Sequence, residues 1–343
     1  MFELYEGQTA DEAWLKIAAD VRAGRKFKPQ DGRGGKTLEI LHAAISIAEP
    51  RQRWVVSRNR PLDLPFALAE VIWILNGRDD AQFIKYFNPV LPRYTGPEAN
   101  LHGAYGRRLR KHLGFDQLVR AYRALVDQPN SRQVALQIWD GRIDLPSENG
   151  EPKSRDIPCN LVSMLKVRDG KLDWAQVMRS NDIYKGLPYN LVQFTTLQEV
   201  MAGWIGIEVG GYYHLSDSLH VYKGEEVSFV TQSNAVSANS NLDVLALPFT
   251  ESNAAWSDLN SVVDLIVDTS TSAESLKRRV EGSQLPEAFR NIARVLVADG
   301  LRRRRLHSEV TAMMAGCTNK LYVQMWQRWN ETRKATVVSE FEK

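Results

Sequence analysis

The chain has only two cysteines in 343 residues, Cys159 and Cys317, so a disulfide framework is excluded and a reducing compartment fits. It also has no long apolar run. The N-terminal stretch is broken by Glu3, Glu6, Asp11 and Glu12, so neither a secretory signal nor a membrane span is expected, and the protein reads as cytoplasmic. Charge of one sign is not in excess: 44 Lys plus Arg stand against 41 Asp plus Glu, a net +3. That is too little for a general polyanion surface, so nucleic acid is not expected as a partner and any phosphate must be held locally. No Cys/His spacing fits zinc, no metal site is expected, and no GxSxG elbow or GxGxxG after a strand occurs. GRGGK lacks the P-loop spacing, and no internal repeat is present. What remains is 43% apolar and 25% charged residues, the makeup of a folded protein of one or two domains.

Thr9 to Glu12 reads as a capping box, followed by Trp14, Ile17, Ala18 and Val21 at helical spacing before Gly24. The basic, glycine-rich DGRGGK leads into a strand, TLEILHAAISIAE. LPFALAEVIWILNG reads as an apolar helix with Glu70 inside it. Pro89, Pro92 and Pro97 predict irregular, surface-wrapping structure from Asp79 to Leu101. RQVALQIWD alternates Val134, Leu136 and Ile138 as a half-buried strand. NLVSMLKVRDGKLDWAQVMRS is a hairpin turning on Asp169-Gly170, with Cys159 at its entry and Arg179 at its exit. GLPYNLVQFTTLQEVMAGWIG is a helix, and an aromatic strand follows through Tyr212, His214, His220 and Tyr222. Strands and helices mix without βαβ repeats, so an α/β fold of the α+β kind is expected. Beyond about Asn234 the chain turns polar and turn-rich up to Asp258, then helical. The expectation is a catalytic domain over 1–233 and a helical extension, or divergent end of the same domain, over 234–343. The run Arg302 to Arg305 reads as a solvated helix face.

Cys159, in DIPCNL, is either a small buried hydrophobe or a nucleophile; the second needs a nearby cation to lower its pKa, and a registered hairpin returns Arg179 toward it. Arg179-Ser180-Asn181-Asp182 is either a polar turn or a phosphate-recognising cluster, with Arg33 and Arg132 as further cations. Glu70 would carry a raised pKa suited to proton transfer if its face is buried. His220 and Tyr222, two apart on a strand, face one way and either pack or meet one ligand.

In chain order, AEVIWILNG with Glu70, HGAYGRRLR with Tyr105, NSRQVALQIWD with Arg132, DIPCN with Cys159, RSND with Arg179 to Asp182, GLPYN with Asn190, and DSLHVY with His220 and Tyr222 make up one pattern. It resembles the thymidylate synthase family, which includes the pyrimidine nucleotide hydroxymethylases. The resemblance runs from about Gly32 to Tyr222, implies a mixed, largely antiparallel sheet with packed helices, and leaves the last third unmatched. It implies that Cys159 adds to C6 of a pyrimidine monophosphate and makes C5 nucleophilic. Arg33, Arg179, Ser180 and, from the other subunit of a homodimer, Arg132 would hold the 5′-phosphate. His220 and Tyr222 would hold the sugar and Asn190 the base edge; Glu70 would move protons through ordered water, and Asp182 and Tyr105 would organise the folate side and C5 proton removal. The implied one-carbon donor is 5,10-methylenetetrahydrofolate.

The chain departs from the family pattern in several places. Asn160 stands where the family shows His after the cysteine, Gln133 replaces a second arginine, and the family's tryptophans between Glu70 and Tyr105 are missing, with Phe87 and Tyr94 in their region. EFEK replaces a short apolar tail that closes over the site. In the implied chemistry hydride from the folate gives a methyl group and water gives hydroxymethyl, so loss of closure turns the expectation to hydroxymethylation. A divergent synthase converting dUMP to dTMP is the alternative, and an inactive nucleotide- or RNA-binding relative is the alternative of another class. Asn190 favours uracil, hence dUMP, with dCMP and CMP left open.

Overall fold

The computed structural model describes residues 2–32 and 34–341, with side chains described up to Arg333. Its strands are β1 (Glu3–Gly7), β2 (Lys28–Gly32), β3 (Gly35–Ile47), β4 (Ala135–Gln137), β5 (Asn160–Arg168), β6 (Lys171–Met178), β7 (Asn181–Asp182) and β8 (Glu208–Tyr222). They form one mixed sheet in the order β1-β3-β8-β6-β5-β4, with β2 on β3 and β7 on β8. The β3/β8, β5/β6, β4/β5 and β2/β3 pairs are antiparallel, and β1/β3, β6/β8 and β7/β8 are parallel.

The helices of the first two thirds are α1 (Ala10–Ala23), α2 (Leu64–Leu75), α3 (Ala81–Phe87), α4 (Pro92–Thr95), α5 (Tyr105–Arg110), α6 (Gln117–Asp127), α7 (Gly141–Asp144) and α8 (Leu187–Ile205). α9 (Phe249–Val267), α10 (Ala273–Glu281), α11 (Glu287–Arg303), α12 (His307–Ala315) and α13 (Lys320–Phe341) follow. Local chemistry sets the ends. Thr9 Oγ1 accepts from Glu12 N at 3.2 Å at the start of α1, while the Glu12 carboxylate takes Gln8 N rather than Thr9 N. Asp63 caps α2 through Phe66 N, and Pro65 sits in the first turn. The β5–β6 turn holds Asp169 and Gly170 at φ 48° and 70°, as a tight hairpin requires.

Three expectations change. The segment from Asp79 to Leu101 is not all irregular: Pro89 follows α3, Pro92 opens α4, and Phe83, Ile84 and Phe87 are buried. RQVALQIWD buries Val134, Leu136 and Ile138 in alternation as expected, around the short β4, whereas α9 starts inside the stretch read as turn-rich. The arginine run is not a solvated face either. Arg302 and Arg303 bond the buried Asp299, and Arg304 Nη2 donates to Ile266, Asp268 and Thr271 carbonyls at the end of α9.

α8 is apolar on one side and small or polar on the other, yet buried on nearly every side, because β6 and β8 lie beneath it and α2, α6 and α9 surround it. α9, α11 and α13 pack on α2, so the last third reaches the helix that carries Glu70. The opposite face of the sheet has another texture. Val162, Val177, Leu215, Ala44 and Leu4 stand in register across β5, β6, β8, β3 and β1, none of them buried, with Tyr213 47% and Leu4 57% exposed.

Candidate active site

Cys159 immediately precedes β5 and Arg179 immediately follows β6, so the hairpin register determines their meeting. Arg179 N donates to Cys159 O at 2.9 Å. The guanidinium is held by Pro158 O at 3.0 Å and Ile157 O at 3.2 Å, and Nη2 lies 3.9 Å from Cys159 Sγ. A fixed cation beside a half-buried thiol favours thiolate, the form that adds to an electrophilic carbon.

On the other side is α2. Glu70 is the one residue of this helix that is only partly buried, yet the packing around it still pushes its carboxyl up to about 7, opposed by a hydrogen bond with Gln193. Glu70 Oε2 is buried without a partner. Gln193 also accepts from Asn190 Nδ2 at 3.0 Å, one helical turn earlier on α8, so Gln193 joins the acid to Asn190. Tyr105, at the start of α5, has its hydroxyl pKa raised by burial, by Cys159 and by Glu70, with the Asn160 amide opposing. Thiol, acid and phenol therefore share one neighbourhood.

The sugar and folate candidates lie where β7 joins β8. Asp182 pairs in register with His220, and its Oδ1 accepts from Tyr184 N and Lys185 N, both at 2.7 Å, while Oδ2 is buried without a partner. Ser180 is half-buried between Arg179 and β7. His220 meets the edge of Tyr222 at 5.7 Å. A Cβ on Gly34 would fall 2.7 Å from the Tyr222 hydroxyl, so only glycine lets the β2–β3 hairpin approach this ring. A cleft of about 1140 Å³ opens beside it, with Lys36, Arg93, Tyr94, Arg155, Lys185 and Tyr222 among its walls. Lys185 pairs with Glu225 at 2.6 Å and lies over the Tyr222 ring. Arg33 lies outside the described residues, and Arg132 is exposed in the loop before β4, with no hydrogen bond or ion pair to the other site residues among those described.

A family model for thymidylate synthase matches residues 13–258. The chain belongs to the thymidylate synthase family. It is 33% identical over 259 residues to a deoxyuridylate hydroxymethyltransferase of Bacillus phage SP01, covering 72% of this chain and 66% of that protein. It is 32% identical over 197 residues to a second one from Pseudomonas phage M6, covering 57% and 55%. A thymidylate synthase of Clostridium beijerinckii is 24% identical over 219 residues, covering 63% and 78%. The matched part thus spans about two thirds and about half of the two phage proteins.

Two residues beside this thymidylate synthase-family site escape sequence reasoning, and a third is seen there only as a departure. Gln193 was detectable, since it lies three after Asn190 on one helix face. Lys185 lies three after Asp182, but its position over Tyr222 depends on the β7–α8 connection. Asn160 is visible as a departure from the family, while its contacts are set by the hairpin interior. No helix among the described residues is long and apolar enough to cross a membrane.

Proposed function

We propose that this protein transfers a one-carbon unit to C5 of dUMP and releases the 5-hydroxymethyl nucleotide, working as a homodimer. The observation that carries the reading is Cys159 Sγ at 3.9 Å from the Arg179 guanidinium, with Glu70 and Tyr105 sharing the same neighbourhood. Addition of the thiolate to C6 makes C5 a carbon nucleophile. A carboxyl at about 7 both gives and takes protons at neutral pH. Asn190, with one N–H spent on Gln193, keeps a donor and an acceptor that complement O4 and N3–H of uracil. Arg179, Ser180, Arg33 and the partner's Arg132 serve the phosphate, and His220 and Tyr222 the sugar.

5,10-Methylenetetrahydrofolate supplies the one-carbon unit when bound. The buried Asp182 Oδ2, an acceptor with no donor, fits the N–H groups of a pterin, and the basic cleft fits that ligand's carboxylates. The hydroxymethyl product is supported by the identities to the phage hydroxymethyltransferases, which exceed that to the Clostridium synthase. The dimer is supported by the apolar row on the uncovered sheet face, a surface that a second copy would bury.

Mass spectrometry of the product, with dUMP, dCMP and CMP each offered with methylenetetrahydrofolate, tests the reaction. The expected result is a gain of CH₂O on dUMP with tetrahydrofolate formed. A gain of CH₂ with dihydrofolate establishes methylation instead, and no C5 chemistry on any of the three overturns the reading.

A further inference from the structure

Next to the nucleophile lies an amide whose orientation is fixed from behind. Asn160 is completely buried; its Oδ1 accepts from Gln176 Nε2 at 2.6 Å, and among the described residues its Nδ2 faces no group but the Tyr105 hydroxyl, which leaves one N–H unspent. Gln176, itself 1% exposed, sits among groups that leave no choice of polarity. The Trp174 indole N–H can only donate, and it meets Gln176 Oε1 at 3.2 Å, together with the Ser163 hydroxyl at 2.6 Å. The Val162 carbonyl can only accept, and it lies 3.4 Å from Nε2. Gln176 must therefore point its NH₂ at Asn160, and Asn160 must turn its oxygen to Gln176 and its NH₂ away. That NH₂ belongs to the residue following Cys159, and its amide lies beside the Tyr105 hydroxyl that also senses Cys159 and Glu70.

We propose that Asn160 donates a hydrogen bond to the 4-position of the pyrimidine and so selects a 4-carbonyl base over a 4-amino base, with Gln176 as the positioning residue that enforces this polarity. The inference rests on the C5 chemistry proposed above. When the thiolate pair forms the S–C6 bond, the C5–C6 π pair moves into an enolate shared by C5 and O4, and a donor aimed at O4 stabilises that charge as it develops. Uracil O4 has two lone pairs, enough for Asn160 and Asn190 together. The 4-amino group of cytosine would set N–H against N–H and leave a buried donor unpaired, the arrangement that discriminates most strongly between analogues.

Two variants reverse the polarity at different points. Asn160→Asp puts an acceptor where the NH₂ stands. Gln176→Glu offers only acceptors to Asn160, so the Asn160 amide turns over and presents its oxygen, although no substrate-facing residue has changed. The measurement is kcat/KM for C5 tritium release from dUMP and dCMP, with circular dichroism to verify folding and calorimetric affinities for both nucleotides. The wild type is expected to prefer dUMP by about a hundredfold or more, and either variant to lower that ratio at least about tenfold, mainly through kcat on dUMP. A merely structural role would weaken both nucleotides alike, so a folded variant of either kind with an unchanged ratio overturns the inference. Wild-type turnover of dCMP equal to that of dUMP overturns it too. If the wild type releases tritium from neither nucleotide, the proposed reaction fails, and the inference is then judged on binding alone: a dUMP-to-dCMP affinity ratio unchanged by Asn160→Asp overturns it.

Discussion

Glu70 shows how one residue can be placed at a cost to the fold. Its carboxyl is raised to about 7 from an ordinary 4.5 because α2 is packed on almost every side. Between those two pH values the folded protein keeps a proton that the unfolded chain has lost, so this contribution to stability declines as pH rises through the window and is gone above about 7. Glu70→Gln removes the dependence. Denaturant unfolding should show a flatter stability profile from pH 4.5 to 7 and a gain of up to about 3 kcal/mol at pH 8. Turnover should fall by about 10²- to 10⁴-fold. An unchanged profile would mean that Glu70 is solvated. At this scale much was legible: Glu70 was singled out by lying inside an apolar run, and Cys159 and Arg179 by a hairpin whose turn residues dictated its register. Long-range polarity was not legible, because the Trp174–Gln176–Asn160 chain depends on which faces of two strands turn inward past a bulge.

At the scale of elements, α5 meets the end of α2 with no space between them. A Cβ at Gly106 would lie 2.6 Å from the Ile74 carbonyl oxygen and 2.8 Å from its Cα, both backbone atoms that cannot swing aside. Gly106→Ala should therefore push α5 off α2, shift Tyr105 relative to Glu70, and cost about 1–3 kcal/mol by equilibrium unfolding. C5 tritium release should drop more than tenfold. Wild-type stability and rate in this variant would show that the approach is not needed. Elements with strong local signals, α1, α2, α8 and the β5–β6 hairpin, were readable from caps, periodicity and turn chemistry. α3 and α9 were obscured by neighbouring prolines and polar residues, since their buried faces are created by packing on α2. The arginines after Asp299 misled in part for the same reason: Arg302 and Arg303 turn back onto Asp299 of their own helix, while Arg303 and Arg304 are consumed by carbonyls of distant segments.

For the whole molecule, the packing of α9, α11 and α13 on α2 leads us to infer that residues 234–341 continue the catalytic unit and do not form a separable appendage. A Cβ on Gly203 would fall 2.6 Å from Ala246 Cα, so the connecting segment is seated directly on α8. The proposed dimer makes a sharper statement, because Arg132 would complete its neighbour's site. Cys159→Ser and Arg132→Ala proteins should each be nearly inactive, yet recover about a quarter of wild-type activity when mixed and allowed to exchange subunits, since half the dimers are mixed and each holds one intact site. No recovery, with exchange verified by sedimentation of tagged subunits, would place Arg132 outside the site. α8, enclosed on nearly all sides, has a consequence for motion. Its interior amides should reach solvent only when the molecule opens as a whole, so their hydrogen exchange should report global unfolding, and the base edge that we propose Asn190 reads would be met by a helix with no local melting of its own.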